Sequence, residues 1–219
     1  MTLSWDTDNP VTHWRDHIDP LRTNLVQVLA HRQIYREVLA AVESESAARR
    51  TWTWRNHYAF LYSQAQAMAL RRVVRGNSGH YSLSHLLWSM EEQAEAMTVN
   101  LVVAKAREYE PTRRIDDVIR EFEVEWSDGN GRLNARIPRR DREALFRERR
   151  SVLDWADQTI AHIDPLVSAS PTFGDLDRAI DHVTGIFRRY GRLLGRAIYV
   201  LEMDLDNWQA ALSRPLFPA

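Results

Sequence analysis

Apolar side chains recur every three or four residues through most of the chain, the period of helices that bury one face. The first stripe consists of Leu21, Leu25, Val28, Tyr35, Val38 and Val42. Asp19 followed by Pro20 is typical of an N-cap and a first helical residue. We therefore expect a first helix from there to about residue 44, with a short helix over residues 11–18 before it.

Two more helices are predicted before Pro111. The second stripe consists of Trp54, Tyr58, Leu61, Ala65, Met68 and Arg72. Glycines at positions 76 and 79 end it. Ser82 is the predicted N-cap of a third helix, whose stripe consists of Leu83, Leu86, Leu87, Met90, Ala94, Met97 and Leu101.

The stretch over residues 112–138 has a weaker pattern. Its apolar spacing around Val118 and Phe122 predicts a short helix, and Asp-Gly-Asn-Gly at 128–131 predicts a tight turn. The flanks 123–126 and 132–137 fit a small hairpin as an alternative. We favour a helix, a turn and irregular chain.

The C-terminal half predicts two further helices. A fourth runs from Pro138 and ends near Ile163, because Pro165 disfavours helical geometry at the residue before it. Thr172 or Asp175 then caps a final helix. Its stripe consists of Leu176, Ile180, Val183, Phe187, Tyr190, Leu194, Ala197, Leu201 and Leu205.

Amphipathic helices joined by short connections can bury their stripes only against one another. The predicted fold is therefore all-α, an up-and-down bundle of about five main helices with an elaborated connection near residues 110–138. We expect one bundle domain over residues 19–210, an N-terminal extension over 1–18 and a tail over 211–219.

Composition and charge exclude several classes of protein. The chain has no cysteine, which excludes thiol nucleophiles, disulfides and zinc–thiolate clusters. It has 29 basic and 30 acidic residues, so a basic field over the whole protein is absent. No apolar run approaches the ~18 residues that span a bilayer, and the first residues lack a secretion signal. These features predict a cytoplasmic protein that does not bind membranes.

Metal and cofactor motifs are also missing. No histidine follows a glutamate by three residues, as a di-iron helical bundle requires. Phosphate-loop, dinucleotide and nucleophile-elbow motifs are absent, so we predict no cofactor and no metal. A mononuclear site stays open as an alternative, because histidines at 31, 57, 85, 162 and 182 lie on different predicted helices.

His162, at the end of the fourth predicted helix, is the candidate catalytic residue. At ~100° per residue it projects roughly 110–120° from the centre of that helix's buried stripe. Three interpretations are open. The imidazole caps the helix C-terminus, lines a partner interface, or acts as a general acid/base in a cleft between two copies of the bundle.

Three segments resemble the HEPN superfamily, and within it the abortive-infection AbiU-type branch. The first is Ala-Leu-Arg-Arg-Val-Val at 69–74, followed by His-Tyr-Ser-Leu-Ser-His-Leu-Leu at 80–87. The second is Thr-Ile-Ala-His-Ile-Asp at 159–164. The third is Pro-Thr-Phe-Gly-Asp-Leu-Asp at 171–177, together with Ile180, Tyr190, Leu193 and Leu194.

The resemblance implies a helical bundle that dimerises and whose active members cleave RNA without metal. The family motif is an arginine, four to six residues, and then a histidine, which is His162 here. The positions where that arginine would stand, 155–157, hold Trp, Ala and Asp. Three other arginines are candidates: Arg147 and Arg150 farther up the same helix, roughly 18 Å or more away at ~1.5 Å per residue, and Arg72 from another helix.

We therefore expect a homodimeric HEPN-like protein of a phage-defence or toxin-type system that binds RNA or a protein partner. The missing arginine favours a catalytically degenerate interaction module. The alternative is a metal-independent endoribonuclease that uses His162. A further alternative is a metal-binding or structural helical bundle unrelated to HEPN.

Overall fold

The computed structural model describes residues 10–44, 52–75, 81–147, 150–161 and 171–195. These residues form an all-α bundle, which confirms the predicted fold class. The α-helices are α1 (Pro10–Ser44), α2 (Trp52–Val74), α3 (Leu83–Glu92), α4 (Val99–Tyr109), α5 (Ile115–Glu125), α6 (Arg136–Arg147), α7 (Arg150–Trp155) and α8 (Phe173–Leu193). A 3₁₀ turn (Ala94–Ala96) precedes α4, and a π-helical segment (Ala156–Ala161) continues α7.

Helix α1 begins nine residues before the predicted N-cap, so the expected start at Asp19 is wrong. Residues 10–18 are its first turns instead of a separate short helix, and Pro20 lies inside the helix. Trp14 and Ile18 before the proline and Leu21 after it are all fully buried. Burial on both sides of Pro20 holds the helix together across the missing backbone hydrogen bond.

The stripe predicted on α1 is confirmed, whereas the stripe predicted on α2 is wrong. Leu61, at its centre, is 49% exposed. The buried face is instead Tyr62, Gln66, Ala67, Leu70, Val73 and Val74. Helix α2 carries apolar residues on both faces, and the polar Gln66 marks the inner one. Its amide Nε2 donates to the carbonyl of Val28 on α1 at 2.9 Å.

The predicted third helix is two helices. Ser82 caps α3 as expected, since its Oγ accepts from the backbone N–H of His85. The helix then ends at Glu92, and Thr98 caps α4. The break forms because the backbone near Thr98 binds the following turn: the Val99 N–H donates to the Gly131 carbonyl, and the Leu133 N–H to the Met97 carbonyl, both at 2.9 Å.

The stretch over 112–138 is a helix, a turn and irregular chain, as favoured. Helix α5 buries Val118 and Phe122. In the turn, Gly129 and Gly131 have φ angles of 90° and 71°, which favour glycine. The alternative, a hairpin of the two flanks, does not form in this described stretch. The flanks make isolated β-bridges instead, one of them between Ser127 and Leu133.

The last two predicted helices are found with changed boundaries. The fourth is α6, α7 and the π-helical segment, with residues 148–149 outside the described part. The fifth is α8, where Thr172 and Asp175 together form a capping box. Its stripe from Leu176 to Leu194 is buried, and its predicted continuation to Leu205 lies outside the described residues.

A polar network joins α6 to α8 inside the bundle. Asp141 is 7% exposed and accepts from the Tyr190 hydroxyl at 2.9 Å and from Arg189 Nη1 at 2.7 Å. The Arg189 guanidinium also lies over the Trp126 ring, 4.3 Å from its centroid. The network therefore ties α6, α8 and the residue that ends α5 to one carboxylate.

Candidate functional site

Of the four predicted catalytic residues, Arg72 and Arg147 have side chains that the structure describes. His162 lies outside the described residues, and so does the side chain of Arg150. Arg72 and Arg147 are exposed on α2 and α6. In the described part of the chain neither of these two arginines has an ion-pair partner, and the distance from Arg72 or Arg147 to His162 lies outside the described residues.

The neighbours of Arg72 form the cluster instead. Arg71 and Arg75 lie four residues apart, on the same side of α2's C-terminal end. Arg71 Nε binds Asp157 Oδ1, and Arg75 Nη1 binds Asp157 Oδ2. Arg75 Nη2 also lies 3.3 Å from Asp154 Oδ1. Two guanidiniums from α2 therefore meet two carboxylates at the junction of α7 and the π-helical segment, and we call these four residues the arginine–aspartate cluster.

Local packing explains the position of the cluster. Trp155 and Ala156 are buried, and the two acids on either side of them face α2. Above them the Arg75 guanidinium lies 5.5 Å from the centroid of the Phe146 ring on α6. Asp157 is in the π-helical segment, where i→i+5 hydrogen bonding makes the 100° projection used for His162 invalid. Such segments are frequent at functional sites.

The cluster contains two positive and two negative side chains, so their charges cancel. Its side chains are between 22% and 35% exposed, so the charges are partly screened by water. Both oxygens of Asp157 are occupied by guanidinium N–H donors. A phosphate that approached Arg71 or Arg75 would compete with this carboxylate for their positive charge.

Asp157 stands five residues before His162, where the HEPN motif has its arginine. The chain thus has an acid at that position, and guanidiniums reach it from α2. Arg71 belongs to the segment that resembles HEPN, and Arg75 stands five residues before His80, a literal match to the motif that we assign to a loop because of its two glycines. Their pairing with Asp157 could not be predicted, because the helix contact between α2 and the π-helical segment is not visible in the pattern. Their spacing of four was the available signal.

The histidines of the described helices do not form a metal site. His31 and His57 are exposed, and within the described ranges no group of three His, Asp or Glu side chains could hold a metal ion. The structure does bring together His13, His17 and His85, of which the sequence analysis considered only His85. The spacing of four between His13 and His17 on α1 was a signal for that pair.

No protein-family model matches this chain, and none of the curated proteins or solved structures matches it. Among the described helices, none has both the length and the apolar composition needed to cross a bilayer.

Proposed function

We propose that this chain is a HEPN-like interaction module of a phage-defence or toxin-type system that forms a homodimer and does not cleave RNA. One observation carries the proposal. The carboxylate at the motif's arginine position, Asp157, binds the two guanidiniums nearest to it in the described structure.

Charge is the reason that this arrangement opposes catalysis. Cleavage of a phosphodiester needs cationic donors aimed at the oxygens where negative charge develops. In the cluster those donors, Arg71 and Arg75, are already paired with acids. RNA would have to replace a positioned intramolecular carboxylate, which is a strong competitor because it needs no association step.

The all-α bundle agrees with a HEPN-like assignment. Segment 69–74 and the described part of segment 159–164, residues 159–161, belong to elements that contact each other through Arg71 and Asp157. The homodimer, the defence or toxin system and the partner are inferred from the resemblance alone.

Purified protein tests the absence of activity and the dimer separately. Structured and unstructured RNA are incubated in chelator at high protein concentration with wild type and with His162→Ala. We expect intact RNA with both. Cleavage that His162→Ala abolishes, with the fold unchanged by circular dichroism, would overturn the proposal. Light scattering should give twice the chain's mass of 25.6 kDa, and a strict monomer would overturn the dimer.

A metal-independent ribonuclease is the second candidate function. The observation in its favour is that α2 brings two guanidiniums to a residue five positions before His162. In that case RNA would displace Asp157 and His162 would exchange the proton. Arg71→Ala and Arg75→Ala would then abolish cleavage, whereas Arg72→Ala, the matched control, would leave it intact.

A further inference from the structure

Three imidazoles meet where the first turns of α1 pack against α3. The His17 ring centroid lies 5.3 Å from that of His13 on the same helix and 5.6 Å from that of His85 on α3. The Tyr81 ring, just before α3, is 4.6 Å away and edge-on. His17 thus forms the centre of a cluster that joins two helices.

The central imidazole is buried, and its ring nitrogens lack hydrogen bonds to the described residues. His17 is 2% exposed, and neither of its ring nitrogens has a hydrogen-bond partner among the described residues. A buried polar group without a partner destabilises a fold, because its lost hydrogen bonds to water are not replaced. Such a group needs a physical explanation.

The α1 segment that carries this ring is set apart by a proline. Pro20 follows three residues after His17, and it cannot donate the N–H that would bind the preceding turn. We call residues 10–19 the arm. Trp14, on the arm, is fully buried, and its Nε1 donates to Ser89 Oγ on α3 at 2.9 Å. The arm therefore contacts α3 through a histidine cluster and a tryptophan, and it ends at a natural hinge.

We propose that the arm is an acid-released latch, which is closed on α3 while His17 is neutral and opens at the Pro20 hinge when His17 takes up a proton. Opening uncovers the α3 face that holds Ser89 and the Tyr81–His85 edge. The latch does not depend on the function proposed above, because none of its residues belongs to the arginine–aspartate cluster.

Burial and the neighbouring side chains determine how pH changes the protonation of His17. Burial, and then the neighbouring His13 and His85, lower the pKa of His17 from 6.5 to about 3. Burial also lowers the pKa of His13 and of His85. The acidic group near the cluster is Asp16, which acts on His13 in the opposite direction. Among the described residues, the Tyr81 ring also faces His17.

Proton linkage gives the direction in which pH changes the equilibrium between the closed and the open arm. The open arm binds a proton at the ordinary histidine pKa, whereas the closed arm does so only near pH 3. The stability of the closed state relative to the open state is therefore greatest above pH 6.5, and it decreases as the pH falls from 6.5 towards 3. Between pH 7.5 and pH 5.0, His17 alone raises the opening constant about 30-fold.

Hydrogen exchange read by mass spectrometry measures this opening on the full chain. Protection factors, corrected for the intrinsic pH dependence of exchange, are compared at pH 7.5 and pH 5.0 for peptides from the arm and from α3. The variants are His17→Leu, which removes the titrating ring, and His17→Gln, which keeps a polar side chain in case the leucine variant does not fold. His31→Gln, an exposed histidine on α1 beyond the hinge, is the control.

We expect arm protection to fall at least about 30-fold in wild type and in His31→Gln. In a folded His17 variant the fall should be about 30-fold smaller, because only His13 and His85 then contribute. Residues of α1 beyond Pro20 should change much less than the arm. An undiminished fall in the His17 variants would overturn the latch, and so would a wild-type fall below about threefold. A uniform loss of protection along the whole of α1 would overturn the hinge.

Discussion

Asp141→Ala tests whether the polar network between α6 and α8 stabilises the bundle. The carboxylate side chain is 10% exposed and accepts from both Tyr190 and Arg189. Burial, and then the charge of Asp141, raise the pKa of Tyr190. The phenol therefore stays protonated and donates at every pH at which the protein folds.

The expected loss has two parts. Without the carboxylate, the fully buried Tyr190 hydroxyl loses its acceptor, which costs about 1–3 kcal/mol. Arg189 loses a charged partner, but its side chain is 31% exposed, so water replaces much of that interaction. We expect a total of about 3 kcal/mol, below the ~3–5 kcal/mol for a fully buried pair.

Urea unfolding at pH 7.5 measures this change in the free energy of unfolding. The matched control is Asp181→Ala, because Asp181 also pairs with an arginine, Arg32, at 2.5 Å, but its side chain is 67% exposed. We expect less than about 1 kcal/mol there. Tyr190→Phe should cost about 1 kcal/mol in the wild type and much less when Asp141 is already alanine. Equal losses for Asp141→Ala and Asp181→Ala would refute the burial argument.

Three further substitutions test the backbone features by the same unfolding measurement. Pro20→Ala should stabilise by about 2 kcal/mol, because alanine restores an N–H inside α1; a loss of stability would mean that the ring itself is packed. Gly195→Ala should destabilise by about 1–2 kcal/mol, because φ is +64° and the new Cβ would lie 3.1 Å from Lys105 Cβ; no change would show that this backbone relaxes freely. Thr172→Ala should destabilise by about 1 kcal/mol through loss of the capping box with Asp175, and an unchanged midpoint would contradict that role.

Much of the fold follows from the sequence where one helix face alone is apolar. The stripe of α8 from Leu176 to Leu194 and that of α1 from Leu21 to Val42 are buried as predicted. The predicted α2 stripe was wrong because that helix has apolar residues on two faces. The period alone does not identify which of the two faces is buried. The predicted start of α1 was wrong because the sequence Asp-Pro is the same whether the proline is the first residue of a helix or lies inside one.

The candidate site was less accessible to sequence reasoning, because it is built from contacts between distant segments. Arg71 and Asp157 are 86 residues apart. Their pairing depends on how α2 meets the π-helical segment, and no periodicity records that contact. The sequence predicted that Arg72 or an arginine of another helix could replace the missing motif arginine, but it did not predict a pairing with Asp157. The adjacent Arg71, on a different side of the helix, makes the contact.

RNA affinity of Asp157→Asn tests the central claim most directly. Asp181→Asn, which removes a carboxylate paired with Arg32 outside the cluster, is the control and should leave the affinity near that of wild type. If Asp157 blocks anion binding by holding Arg71 and Arg75, single-stranded RNA binds wild type weakly. Asp157→Asn should bind more tightly, with a salt slope steeper by about 0.7 for each additional phosphate that the protein neutralises. Adding Arg71→Ala and Arg75→Ala should return the affinity to the wild-type level. Tight binding by wild type that these two arginine substitutions abolish would contradict the account, since the guanidiniums would then be open to RNA with Asp157 in place.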